Sequence, residues 1–149
     1  MPNYKGHLAG GIVLYAAILV FFMPAVKSGT VLEWLFFVCI GALFPDIDTK
    51  SKGQRFFFAL LVCVFVYLLL QQKVYAAVLL AIAACMPLIA HHRGLFHNFL
   101  FLTGFCWSIG LTVAYLLPDY RTIILYDTLF FWIGIFSHLL LDRGIKRLW

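Results

Sequence analysis

Charge is scarce in this chain. Only 11% of its 149 residues are Asp, Glu, Lys or Arg, against roughly a quarter in a typical soluble domain. That deficit excludes an ordinary water-facing surface. Basic residues outnumber acidic ones, 11 to 6, for a net charge of +5. They flank apolar runs and form no basic amphipathic patch, so nucleic acid is not an expected partner. Cysteine is limited to Cys39, Cys63, Cys85 and Cys106. Each lies inside an apolar run and none forms a CxxC pair, which argues against a thiolate metal site or a disulfide framework. There is no internal repeat, low-complexity tract or linker. "MPNYKGH" carries one lysine and no obvious cleavage site follows the first apolar run, so that run reads as a retained helix rather than a signal peptide.

What fills the chain instead is hydrophobic. Apolar residues make up 64% and mean hydropathy is +1.01. The expectation is one integral-membrane domain over residues 1–149, all-α, a polytopic helical bundle. Six apolar runs predict spans at Leu8–Val26, Val31–Phe44, Phe56–Leu70, Val74–Ala90, Phe99–Leu117 and Ile123–Leu141. A helix crossing the bilayer core needs about 20 apolar residues. By that measure the second and third runs are short and should extend into their flanks or sit where the bilayer is thin.

Between the runs lie short polar breaks: "KSGT", "PDIDTKSKGQR", "QQK", "HHRGLFHN" and "PDYR". Loops this short make successive helices antiparallel neighbours. Six spans put both termini on one face together with the Pro45–Arg55 and His91–Asn98 loops. Lys5, Lys50, Lys52, Arg55, Arg93, Arg143, Lys146 and Arg147 fall on that face, and only Lys27, Lys73 and Arg121 on the other. The positive-inside rule makes the richer face cytoplasmic. Tyr67, Tyr75, Tyr115, Trp34 and Trp149 near span ends suit an aromatic belt. Gly10, Gly11, Gly41, Gly104, Gly110 and Gly134 suit close helix approach.

The same count sorts the chemistry. His7, His91, His92, His97 and His138 all fall on the cytoplasmic face, with Asp46, Asp48 and Asp142. Scattered interfacial residues would not segregate so. His138 and Asp142, four apart in "SHLLLD", share one helix face. Asp46 and Asp48, two apart after Pro45, would share one side of an extended segment. Carboxylates so close repel unless a proton or cation lies between them. Gly94 would let the chain turn between His92 and His97. His91 is set aside because its neighbour His92 should point elsewhere. The expected metal ligands are therefore His7, Asp46, Asp48, His92, His97, His138 and Asp142. Imidazole and carboxylate together suit Zn²⁺, with Mn²⁺ or Fe²⁺ as alternatives. Seven donors exceed the needs of one zinc ion. They would suffice for two ions about 3.5–4 Å apart, an arrangement used for phosphoester hydrolysis. Arg93 could then pair with a phosphate.

Four motifs in this order resemble the YdjM-like inner-membrane, metal-dependent hydrolases of bacteria and archaea. They are "GHLAGG" with His7, "GALFPDID" with Asp46 and Asp48, "HRGLFH" with His92, Arg93, Gly94 and His97, and "SHLLLD" with His138 and Asp142. The resemblance runs from residue 7 to 142. It implies a cytoplasmic-membrane location and hydrolysis dependent on a divalent metal. The family pattern commonly has Ser after the second loop histidine, where this chain has Asn98, and Thr shortly after the last Asp, where it has "RGIK". The His-xxx-Asp spacing also looks like that of zinc-dependent phospholipase C. The functional expectation is a membrane-embedded hydrolase of a lipid or lipid-linked phosphoester, working through metal-activated water at the cytoplasmic interface, with Asp46, Asp48 and Arg93 as catalytic candidates. The alternative is a divalent-cation transporter or metal-binding sensor. Transporters place ion sites near the midplane on broken helices in repeated halves, and this sequence has neither feature. A haem carrier needs facing histidines within spans, and these lie at span ends. Substrate identity and oligomeric state are not legible.

Overall fold

The computed structural model describes residues 3–22, 27–48, 52–89 and 97–143. All regular structure among them is helical: α1 (Tyr4–Phe22), α2 (Ser28–Leu43), α3 (Lys52–Leu70), α4 (Val74–Ile89), α5 (Phe99–Leu116) and α6 (Arg121–Arg143). Two 3-10 turns, Phe44–Asp48 and Pro118–Tyr120, continue α2 and precede α6. By length and composition, four segments among the described residues are able to cross a membrane: Tyr4–Phe21, Ser28–Ile47, Phe99–Leu116 and Pro118–Asp142. The second run, read as short, reaches this length because its helix starts at Ser28 and its apolar character continues through the 3-10 turn to Ile47. Gln54–Leu70 of α3 is a shorter apolar helix.

The helix ends follow local chemistry. Asn3 caps α1, its Oδ1 accepting from Gly6 N at 3.1 Å. Asn98 caps α5, its Oδ1 accepting from Phe101 N at 3.0 Å. Asparagine can therefore do the capping work that serine does at such a position. The "QQK" turn closes α3 with a Schellman motif: Lys73 N donates to Leu68 O and Gln72 N to Leu69 O, both at 2.9 Å. Gln72 takes the left-handed position, at φ 58, where glycine is favoured.

α6 is the central element, packed on α2, α5 and α1. Because lipid tails are as apolar as the side chains, close packing and interhelical hydrogen bonds hold such a bundle rather than water exclusion. One buried cluster, built from Phe44, Ile47, Leu102, Cys106, Ile135 and Leu139, fills the end nearest the 3-10 turn. A second, of Tyr15, Trp34, Val38, Phe130 and Ile133, fills the other end. Trp132 Nε1 donates to Thr103 Oγ1 at 3.0 Å, tying α6 to α5. The α3–α4 hairpin stands apart, touching the rest chiefly through the Phe44–Asp48 turn.

Three local expectations are corrected. Trp34 does not sit in an aromatic belt: it is buried and stacks on Phe130 with ring centroids 4.5 Å apart. Tyr67, Tyr75 and Tyr115 are exposed, and Trp149 lies outside the described residues. Among the described residues Gly104 has no neighbour in position to meet a side chain and makes no close helix contact. The Asp46–Asp48 segment is a 3-10 turn, not extended. With about three residues per turn, positions two apart do not share a side. The four cysteines are free; Cys106 is buried, Cys39 half-buried, and Cys63 and Cys85 exposed.

Candidate metal centre

The site begins with glycines. A Cβ on Gly41 would run into the Phe131 carbonyl, and one on Gly134 into the Val38 carbonyl and Ala42 N. The backbones of α2 and α6 therefore cross in direct contact at two reciprocal glycines. One helical turn beyond Gly134 stands His138. The close crossing brings its ring to the α2 backbone, and Nδ1 lies 2.7 Å from Ala42 O. A carbonyl only accepts, so Nδ1 is the protonated nitrogen and Nε2 carries the lone pair. This is the outer hydrogen bond that fixes tautomer and ring orientation in metal-ligating histidines.

α1 reaches the same point by the same device. Gly10 leaves no room for a side chain beside Leu141 and Ser137 of α6, and Gly11 lies against Val38 and Ala42 of α2. His7, on the capped first turn of α1, then stacks on His138 with ring centroids 3.8 Å apart and planes 15° from parallel. Asp46 comes from the 3-10 turn. Ile47, 1% exposed, anchors that turn in the core, and Gln54 Nε2 of α3 donates to Ile47 O at 2.9 Å. His97 precedes the Asn98 cap of α5 and is buried. Asp142 lies one turn after His138, as the four-residue spacing requires.

Five donors converge. His7 Nε2 lies 3.4 Å from Asp142 Oδ1. His138 Nε2 lies 3.5 Å from Asp142 Oδ2 and 3.7 Å from Asp46 Oδ1. His97 Nε2 lies 3.7 Å from Asp142 Oδ2 and 3.8 Å from Asp46 Oδ1. All five separations exceed the roughly 2.7–3.2 Å of an N–H···O bond. They approach the edge of a tetrahedron around an ion with bonds of about 2.0–2.1 Å, which is about 3.3 Å. Two triads, His7–His138–Asp142 and Asp46–His97–His138, each bring one ligand atom per residue within 4.8 Å of the others.

Burial sharpens the case. The Asp142 side chain is 3% exposed, and its ion-pair partners are three histidines. His138 Nε2 and Asp142 Oδ1 are buried atoms with no hydrogen-bond partner among the described residues. Such atoms are costly unless something fills the space between them. A divalent cation held by two carboxylates and by imidazole lone pairs would be balanced in charge. His138 belongs to both triads but has one free lone pair, so it can serve one ion, not two. His7 Nδ1 and His97 Nδ1 also lack partners among the described residues, so of the three rings only that of His138 has its tautomer fixed by a described protein group.

Of the seven expected ligands, five are brought together. His92 lies outside the described residues, as do Arg93 and His91, and so does the Asp48 side chain. Sequence reasoning missed the Ala42 carbonyl, the Gln54 tie and the Asn98 cap. Backbone acceptors leave no mark in a sequence, but Gly134 four residues before His138 and Gly41 beside Ala42 were the available signal.

No curated protein and no solved structure matches the chain significantly. The family model described as the YdjM inner membrane protein matches residues 1–149, and with its full length covered the chain belongs to the YdjM inner membrane protein family.

Proposed function

We propose that this membrane protein is a metal-dependent hydrolase of lipid or lipid-linked phosphoesters. Its chain crosses the cytoplasmic membrane six times, with both termini and the donor cluster at the cytoplasmic face. The orientation rests on the eight-to-three distribution of lysine and arginine. The observation that carries the metal reading is the set of five donor separations at 3.4–3.8 Å around a His138 whose Nε2 is left free by its bond to Ala42 O.

The residues divide the work. His7, His97, His138 and Asp142 would hold the ion, with Asp46 as a fifth ligand or a hydrogen-bonding neighbour. Imidazole and carboxylate suit zinc, with manganese and iron as alternatives. When bound, such an ion lowers the pKa of water and draws charge from a phosphoryl oxygen. Asp46 is the most open of the five, its side chain 24% exposed where the others are 6% or less, so substrate and water approach from its side. That exposure suits it to take up a proton from an attacking water. The buried stack of His7 on His138 keeps the opposite wall dry.

Elemental analysis of the purified protein, paired with turnover of a phospholipid in defined vesicles, tests this. Wild type should retain about one equivalent of a divalent metal, and a chelator should abolish turnover. His138→Ala should lose both metal and turnover. Full metal content in His138→Ala would overturn the assignment of the site. Stable metal binding with transport of that metal into vesicles, and no hydrolysis of any lipid phosphate, would favour a transporter.

A further inference from the structure

A groove of about 360 Å³ is cut into the outer wall of the bundle where α2, α5 and α6 meet. Phe37 and Phe44 line it from α2 and its turn, Phe105 and Val113 from α5, and Ile124 and Phe131 from α6. These pairs span about 10–12 Å along each helix at 1.5 Å per residue. The groove therefore runs parallel to the helix axes, over most of the roughly 15 Å of hydrocarbon in one leaflet. Phe105, Ile109 and Val113 each keep a third or more of their surface exposed, so it opens sideways. In a membrane the medium on that side is lipid.

Its two ends differ. At one stands Phe44, whose ring packs against Phe105 and Phe131. Phe44 stands two residues before Asp46, so this end abuts the donor cluster. Toward the other end the wall carries Asp127, whose Oδ1 is buried without a hydrogen-bond partner among the described residues. Thr128 beside it has its hydroxyl committed to Ile124 O at 2.7 Å. A wall this apolar does not order water, which needs several polar partners. Its volume, near the low end for ligand sites, fits one chain rather than a headgroup.

From this geometry we infer that the groove seats one hydrocarbon chain of the substrate lipid, aligned with the bilayer normal and with the phosphate end at the Asp46–His138 cluster. The inference rests on the hydrolase reading above and adds to it a place for the chain. It makes the protein selective for phosphoesters bearing at least one long chain.

A phosphatidylglycerol with a photoactivatable diazirine midway along one chain tests it, using the full chain in lipid nanodiscs. Labelling should concentrate on Phe105, Ile109 and Val113 and be competed by unlabelled lipid. Val113→Trp, which fills the groove, should lower that labelling about ten-fold, equivalent to losing roughly two buried methylenes. Asp127→Leu removes the buried, unsatisfied Oδ1 and should raise it. Labelling spread evenly over Ile109, Leu100 and Val62 would show ordinary lipid contact and overturn the groove. A fall on Asp127→Leu would also overturn it, because the occupant would then be a hydrogen-bond donor to Asp127. Both outcomes are read without turnover. Metal retained in His138→Ala would sink the hydrolase reading while leaving the labelling pattern unchanged.

Discussion

The four-helix core of α1, α2, α5 and α6 and the α3–α4 hairpin have similar apolar compositions but solve packing differently. In the core, glycines at 10, 11, 41, 110 and 134 let helices meet closely, and α6 buries Phe130, Ile135, His138 and Leu139 completely. In the hairpin, large side chains such as Val62, Tyr67 and Tyr75 face outward, and Ala77 is the one residue of α4 described as buried. Four of the five converging donors come from the core and the turn that follows α2, and the fifth, His97, immediately precedes the cap of α5. The difference teaches that hydropathy marks what enters a membrane, whereas small residues mark where helices touch and hence where polar groups can be gathered.

The sharpest way to break this comparison is to add volume to both regions. Gly134→Val should cost about 3 kcal/mol or more, since the α2–α6 backbone contact must open. It should also abolish metal retention, because the bond from His138 to Ala42 O is lost. Ala81→Val, on the exposed face of α4, should stay within about 0.5 kcal/mol. Unfolding in detergent, followed by circular dichroism, reads both. Equal tolerance at the two positions would mean the glycine crossing is not what organises the site.

Next in size is the effect of metal. At a free concentration 100 times the Kd, a zinc ion should stabilise wild type by about 2.7 kcal/mol. His138→Ala should show none of this shift, and substitutions in α3 or α4 facing outward should keep it all. A zinc shift that survives in His138→Ala would place the ion elsewhere.

Smaller effects come from single caps. Asn98→Ala should cost about 1 kcal/mol by freeing the Phe101 amide, and by loosening His97 should weaken zinc binding as well. Asn98→Ser should restore both. The smallest effect belongs to the hairpin: Gln72→Gly relieves a left-handed residue and should stabilise by about 0.5–1 kcal/mol. It should leave metal content unchanged. Loss of stability there would mean that the Gln72 side chain makes a contact outweighing its backbone strain.

Much of this was legible in one dimension. Apolar runs separated by short polar breaks were enough to place the six helices within a few residues, because a helix is the one structure whose backbone satisfies itself in lipid without partners. The four-residue spacing of His138 and Asp142 put them on one face before any packing was known. The segregation of His7, His97 and His138 with Asp46 and Asp142 to one side of the count anticipated the cluster these five form. Failures came where local pattern was ambiguous. "PDID" fits an extended segment as readily as a 3-10 turn, and choosing between them required Ile47 to be buried and Gln54 to reach across from α3. Trp34 read as interfacial because its position near a span end says nothing about which neighbour covers it.

Hydrophobicity and helical periodicity act between residues close in the chain, so sequence alone determined the membrane character, the helices and the identity of the polar donors. Which donors meet was decided only in three dimensions. That choice depends on how near the backbones of α1, α2 and α6 can come, and on a carbonyl at Ala42 holding a ring 96 residues away. Contacts of that kind are set by the joint fit of several helices, a quantity that no single stretch of the chain contains.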